Sequence, residues 1–221
     1  MEVAGYIDHT LLKPNATAAD IEKLCQEALD YSFATVCVNP WHVQLCADLL
    51  QGAKTGVCAV IGFPLGANKS EAKAYEAQLA VEDGASEVDM VMNIGELLSG
   101  NNSVVEADIA AVVQAVAGRA LVKVILETDF LQAHQIREAC LIAKTAGADF
   151  VKTSTGFSGG GATVENIRLM RETVGSDFGV KASGGIRDFP TAKAMIDAGA
   201  TRLGASSGVA IVKGQESTAD Y

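Results

Sequence analysis

Short β-branched, apolar runs alternate with longer stretches of helical spacing along most of this chain. Runs at 6–10, 35–39, 57–62, 87–94, 121–127, 149–154, 179–183 and 201–205 have the length and composition of strands. Between them, 17–31, 40–50, 69–83, 104–117, 133–146, 164–174 and 191–198, with a short stretch from Ser207, carry the helical pattern. Several helices run into glycine, as in Asp83-Gly84-Ala85, Ala146-Gly147-Ala148 and Ala198-Gly199-Ala200, where a left-handed residue closes the helix before the next strand.

Eight strands, each followed by a helix, predict an α/β protein with a single closed (β/α)8 TIM barrel. That architecture typically takes about 250 residues and contracts to about 200. The 221 residues suffice, and no linker or low-complexity stretch divides them. Residues 1–213 are assigned to the barrel and the polar stretch 214–221 to a flexible tail. The competing fold is an open doubly wound sheet. Its GxGxxG fingerprint is absent, and Gly159-Gly160-Gly161 has the wrong spacing for it.

Against this apolar background, Lys123, Lys152 and Lys181 each interrupt a strand. Removing an isolated ammonium from water costs several kcal/mol, so three of them require carboxylate partners or a chemical use. In a barrel the side chains alternate inward and outward, and the active site forms at the C-terminal strand ends. Phe150, Lys152 and Ser154 share one parity; so do Gly179, Lys181 and Ser183; Lys123, Ile125 and Glu127; and Glu87, Asp89, Val91 and Asn93. With these faces inward, Lys152 and Lys181 come from adjacent strands, Asp89 and Lys123 complete a polar cluster, and Glu127 stands by as a further balancing carboxylate. A single strand-end lysine is ordinarily one that snorkels to solvent. Three at matching parity with an aspartate point to amine chemistry.

An amine attacks a carbonyl only when unprotonated, and an ordinary lysine titrates at about 10.4. A neighbouring cation and partial desolvation lower that value, and a drop of about three units enlarges the neutral fraction about a thousandfold. Parity alone leaves Lys152 and Lys181 equal candidates for the nucleophile. Glycine-rich segments follow the later strands, at Gly156-Phe157-Ser158-Gly159-Gly160-Gly161, Gly184-Gly185-Ile186-Arg187 and Gly204-Ala205-Ser206-Ser207-Gly208. Each alone is an ordinary turn; together on one barrel face they predict a cradle of backbone N–H groups for phosphate.

Composition narrows the partners. A formal charge of −10 gives no basic patch for nucleic acid, so an anionic substrate has to be held by local groups. No run reaches eighteen apolar residues, and Met1-Glu2-Val3-Ala4-Gly5 lacks the basic-then-apolar order of a secretion signal, so a cytoplasmic protein off the membrane is expected. Five cysteines without a CxxC pair read as reduced core thiols, with Cys37 nearest the expected pocket and a candidate for substrate contact or oxidation. His9, His42 and His134 have no ligand spacing, so neither a metal nor a cofactor is expected. Ser206-Ser207 lacks a nucleophile elbow.

The segments Val151-Lys152-Thr153-Ser154-Thr155-Gly156 and Val180-Lys181-Ala182-Ser183-Gly184-Gly185-Ile186-Arg187 carry a resemblance to the bacterial deoxyribose-phosphate aldolase family. Asp8-His9-Thr10-Leu11-Leu12-Lys13-Pro14, Glu87-Val88-Asp89-Met90-Val91-Met92-Asn93 and Gly204-Ala205-Ser206-Ser207 are similar to that family's segments too, so the likeness spans about 7–212. It implies a metal-free class I aldolase of deoxyribonucleotide catabolism. Such an enzyme interconverts 2-deoxy-D-ribose 5-phosphate with acetaldehyde and D-glyceraldehyde 3-phosphate, and similar enzymes are often homodimers. The family pattern makes Lys152 the Schiff-base residue, Lys181 the neighbour that lowers its pKa, and Asp89 the proton-transfer carboxylate, with Lys123 balancing Asp89. Asp8, Thr10 and Thr155 then position hydroxyls, while Gly185, Gly204, Ser206 and Ser207 hold phosphate beside Gly156 and Gly184. Phe157 stands where some members have lysine, which shifts the phosphate load toward backbone amides, serines and Arg187. A terminal Tyr221 adds the hypothesis of a mobile proton relay. The competing functions are another phosphate-binding barrel lyase, a sugar-phosphate isomerase, and a non-catalytic ligand-binding barrel.

Overall fold

A computed structural model describes residues 3–215; Tyr221 and most of the expected tail lie outside them. The eight strands are β1 (Ile7–Leu11), β2 (Thr35–Val38), β3 (Gly56–Ile61), β4 (Glu87–Val91), β5 (Leu121–Ile125), β6 (Phe150–Lys152), β7 (Gly179–Ser183) and β8 (Arg202–Ala205). All pair in parallel in chain order, and β8 returns to β1, closing the (β/α)8 barrel predicted from the alternating pattern. Around it lie α1 (Ala18–Tyr31), α2 (Val43–Leu49), α3 (Ser70–Glu82), α4 (Ile94–Leu98), α5 (Asn102–Val116), α6 (Ala133–Thr145), α7 (Val164–Val174), α8 (Phe189–Asp197) and α9 (Gly208–Val212). No helix among the described residues is long and apolar enough to cross a membrane.

Local chemistry starts several of these helices. Thr17 and Asp20 form a reciprocal capping box at α1, Asp188 accepts from the Thr191 N–H at α8, and Thr163 accepts from the Asn166 N–H at α7. The strand side chains facing the helices, among them Val88, Met90, Val122, Val124, Val151, Val180 and Leu203, are buried in one large apolar core between barrel and helices. A much smaller apolar cluster, Leu12, Cys37, Cys58 and Val60 with Phe63 packed against it, sits on the other side of the strands. That division matters for the site. The dry core holds the barrel wall rigid, and the inward positions are left to polar groups.

Several strand ends differ from the sequence expectation, the sixth strand for one stopping at Lys152 and not residue 154, and two of the differences bear on the inward row. The fourth strand stops at Val91, not residue 94, because Asn93 turns outward as an N-cap whose side chain accepts from the Glu96 N–H and starts α4. The fifth stops at Ile125, and Glu127 adopts a left-handed backbone at φ 54°, so neither Asn93 nor Glu127 continues the inward row. A buried pair outside the barrel anchors the end of β4. Lys73 of α3 bonds Asp108 of α5 and donates to the Val91 carbonyl at 2.9 Å.

Candidate active site

Strand register brings the polar residues to neighbouring levels. Asp89 of β4 faces Lys123 of β5, and one step nearer the C-terminal ends Lys152 of β6 faces Lys181 of β7, which faces Arg202 of β8. Below them, the ring of Phe150 lies where a Cβ on Gly179 would stand, only 2.2 Å from its nearest atom, so glycine is required there. The ring in turn carries the Arg202 guanidinium 5.7 Å from its centroid.

Asp89 is the hub. Its Oδ2 accepts from Lys152 Nζ at 2.8 Å and Lys181 Nζ at 2.7 Å, and its Oδ1 accepts from Lys123 Nζ at 2.7 Å and the Cys58 thiol at 3.1 Å. Lys181 also bonds Asp8, whose other oxygen accepts from Thr35 at 2.8 Å and Arg202 at 2.6 Å. Glu87 completes the set, 2.6 Å from Lys123 and 3.0 Å from Arg202. Three carboxylates therefore match Lys123, Lys181 and Arg202 one for one. Lys152 is the amine that charge balance does not require.

Burial pushes the Asp89 carboxyl upward, but Lys123, Lys152 and Lys181 outweigh it and hold Asp89 well below the carboxylate range. Asp8 behaves alike: burial raises it, and Lys181, Lys123 and Arg202 depress it further than burial lifts it. Conversely, burial disfavours the Lys123 and Lys181 ammoniums, yet Asp89 and Asp8 raise both above the ordinary lysine value. Lys181 is thus a fixed cation between two carboxylates and fully buried, whereas Lys152 has one carboxylate and 3% exposure.

Of the remaining residues expected at the site, Thr10 is buried with its hydroxyl donating to the Asp8 carbonyl at 2.8 Å. Thr155 is buried too, with its N–H (3.0 Å) and hydroxyl both on the Glu127 carboxylate. Glu127 therefore braces the loop after β6 and does not balance the lysines. Gly156, Gly184 and Gly185 line a cavity of about 600 Å³ together with Gly159–Gly161 and Arg187. The two glycine loops touch, since Ala162 donates to the Gly184 carbonyl at 3.1 Å and a Cβ on Gly161 would come within 2.5 Å of that oxygen. Gly204 lies in β8, opposite Ser183 and Asp8. Ser206 and Ser207 border a separate groove beside His9 and Glu27, and the Ser207 hydroxyl is buried without a partner among the described residues.

The structure adds Glu87, Arg202 and Cys58, which sequence reasoning did not select. The parity rule reaches all three: Arg202 shares a face with Gly204, Glu87 with Asp89, and Cys58 with Val60. Cys37 Sγ, Cys58 Sγ and an Asp89 oxygen lie within 4.8 Å of one another, a spacing a metal ion could span. The ammonium of Lys123, 2.7 Å from Asp89 and 3.3 Å from Cys58, would repel a dication there.

Residues 3–214 match the family described as DeoC/LacD family aldolase. A deoxyribose-phosphate aldolase from Exiguobacterium sibiricum is 62% identical over 222 residues, covering all of both chains. Deoxyribose-phosphate aldolase 1 of Oceanobacillus iheyensis is 59% identical over 221 residues, again with full coverage of both. The tetrameric deoxyribose phosphate aldolase of Aeropyrum pernix superposes with a TM-score of 0.89 at 36% identity, covering 96% of this chain and 89% of that one.

Proposed function

Since the chain belongs to the DeoC/LacD family of aldolases, we propose that it reversibly cleaves 2-deoxy-D-ribose 5-phosphate to D-glyceraldehyde 3-phosphate and acetaldehyde through a Schiff base on Lys152. The observation that carries the assignment is the shared Asp89 Oδ2, bonded to Lys152 on one side and to the doubly paired Lys181 on the other. Parity could not choose between the two lysines; pairing supports Lys152. An ammonium clamped between Asp8 and Asp89 has no lone pair to offer, while Lys152 is free of that clamp and nearest the opening.

Lys152 Nζ adds to C1 of the open-chain aldehyde, water leaves, and the iminium draws electrons from the C2–C3 bond. As that bond breaks, the C3 hydroxyl loses its proton and the glyceraldehyde phosphate departs. Asp89, held ionised by the Lys123 and Lys181 ammoniums and adjacent to Lys152, is the acceptor, directly or through one water. The enamine left on Lys152 takes a proton at C2, and hydrolysis of the iminium releases acetaldehyde and the free amine. Lys123 and Lys181 keep positive charge around the developing oxyanions. The glycine-lined cavity with Arg187 is the site for the substrate's single phosphate, and Ser206 and Ser207 border the separate groove beside His9. The reading extends to a cytoplasmic, self-associating protein.

Incubation with acetaldehyde and sodium borohydride, followed by peptide mapping, is the test. A reduced adduct on Lys152, together with turnover of 2-deoxy-D-ribose 5-phosphate in a coupled assay, is expected. An adduct confined to Lys181 would reverse the two roles, and no adduct would remove covalent catalysis.

A further inference from the structure

The floor of the site holds a second reactive group that the aldol mechanism does not use. Cys37 of β2 and Cys58 of β3 face each other in register, both with side chains on the inward face and both fully buried. Neighbouring strands run about 4.8 Å apart. That falls within the Cα separation of about 4.4–6.8 Å that a disulfide spans. The two sulfurs lie within 4.8 Å of each other and of Asp89. The Cys58 thiol donates to the Asp89 carboxylate at 3.1 Å, with the Cys37 sulfur beside it. The neighbouring Cys58 thiol, helped by the Lys181 and Lys152 ammoniums, draws the Cys37 thiol below the ordinary cysteine range despite burial. Burial first, and then the Cys37 and Asp89 neighbours, push Cys58 well above it. Of the two facing thiols, Cys37 is therefore the one more easily ionised.

We propose that Cys37 and Cys58 form an oxidation site for hydrogen peroxide at the floor of the active site, closing to a disulfide that reversibly slows turnover. The Cys37 sulfur attacks one peroxide oxygen; the O–O bond breaks, an S–O bond forms, and the departing hydroxide takes up the Cys37 proton as water. Cys58 sulfur then attacks Cys37 sulfur; the S–O bond breaks, the S–S bond forms, and the hydroxyl leaves with the Cys58 proton as a second water. Two thiols are oxidised and one peroxide is reduced to two waters. Both thiols are fully buried, so peroxide has to pass Lys152, 3% exposed and bonded to the same Asp89 as Cys58; hydrogen peroxide is smaller than any aldehyde substrate. Closing the bridge takes the Cys58 thiol away from Asp89 and from the Lys123 ammonium, which disturbs the hub carboxylate.

The experiment treats the full-length protein with hydrogen peroxide, alkylates the remaining thiols, maps non-reduced peptides, and assays turnover before and after dithiothreitol. A linked Cys37–Cys58 peptide is expected, with turnover down about tenfold, the size of one lost hydrogen bond to a charged group. Dithiothreitol restores it. In Cys58→Ser, with no resolving thiol, Cys37 is expected to yield a dimedone adduct, and prolonged peroxide gives a loss that dithiothreitol does not reverse. A link confined to the other close pair, Cys25 and Cys46, would overturn the inference, as would a Cys37–Cys58 link without loss of turnover, or a loss without a link. The consequence for turnover rests on the aldolase reading, but the peptide map does not, so failure of one is distinguishable from failure of the other.

Discussion

One carboxylate organises the chemistry of this barrel. Asp89 accepts four hydrogen bonds, from Lys123, Lys152, Lys181 and Cys58, and in the proposed mechanism its charge serves both to orient Lys152 and to receive a proton. These roles separate in Asp89→Asn, which keeps the shape but removes the charge. Turnover is expected to fall by about 10²–10⁴, the usual contribution of a positioned base. Borohydride trapping of acetaldehyde on Lys152 should persist, because adding the amine to an aldehyde does not need the C3 hydroxyl base. Loss of both together would make Asp89 part of nucleophile activation instead. Lys152, Lys181, Asp89 and Lys123 were legible in the sequence because charge inside an apolar run is conspicuous and the two-residue period of a strand fixes its direction. Arg202 was harder. It stands at the start of its strand, where a lone arginine looks like an ordinary surface residue, and only closure of β8 onto β1 brings it to Asp8.

Strands and helices were read more securely than their ends. All eight strands form where β-branched runs stand, since these runs have nowhere to bury themselves except in a covered parallel sheet. The short helix α4 was missed. Its first residues continue the apolar run of β4, and nothing in Met92-Asn93-Ile94 announces that the asparagine will cap a helix. The same loss of register carried Glu127 out of the inward row and onto the loop after β6, where its carboxylate holds the Thr155 N–H and hydroxyl. That contact fixes the segment leading into Gly156 and the glycine-lined cavity. Glu127→Ala is accordingly expected to raise KM for 2-deoxy-D-ribose 5-phosphate about tenfold, the value of a hydrogen bond to a charged group, with little change in acetaldehyde trapping at Lys152. Steady-state kinetics beside the trapping rate separates the two. An equal loss in both would mean that Glu127 supports the lysine strand and not the loop.

The ion network also spans the molecule, because Asp8 of β1, Glu87 and Asp89 of β4, Lys123 of β5, Lys181 of β7 and Arg202 of β8 cross the interior and join strands far apart in the chain. Such a buried set contributes little net stability over an apolar core, but removing one member leaves an uncompensated charge, which costs about 3–5 kcal/mol. Its pH dependence follows from the direction of each shift. Asp8 and Asp89 are depressed below the unfolded carboxylate value of about 3.9, so their contribution is complete above roughly pH 4 and is lost as pH falls toward their folded values. Lys123 and Lys181 are raised above the unfolded lysine value of about 10.4, so theirs is complete below roughly pH 10 and is lost as pH rises through the folded values. Resistance to guanidinium should therefore form a plateau between these limits. Asp8→Asn is expected to lower that plateau by about 3 kcal/mol and to flatten its acid edge, because a carboxylate that releases its proton on folding is gone. Denaturation midpoints measured from about pH 3 to 10 test this. An acid edge as steep in Asp8→Asn as in the wild type would mean that acid lability arises outside the barrel interior.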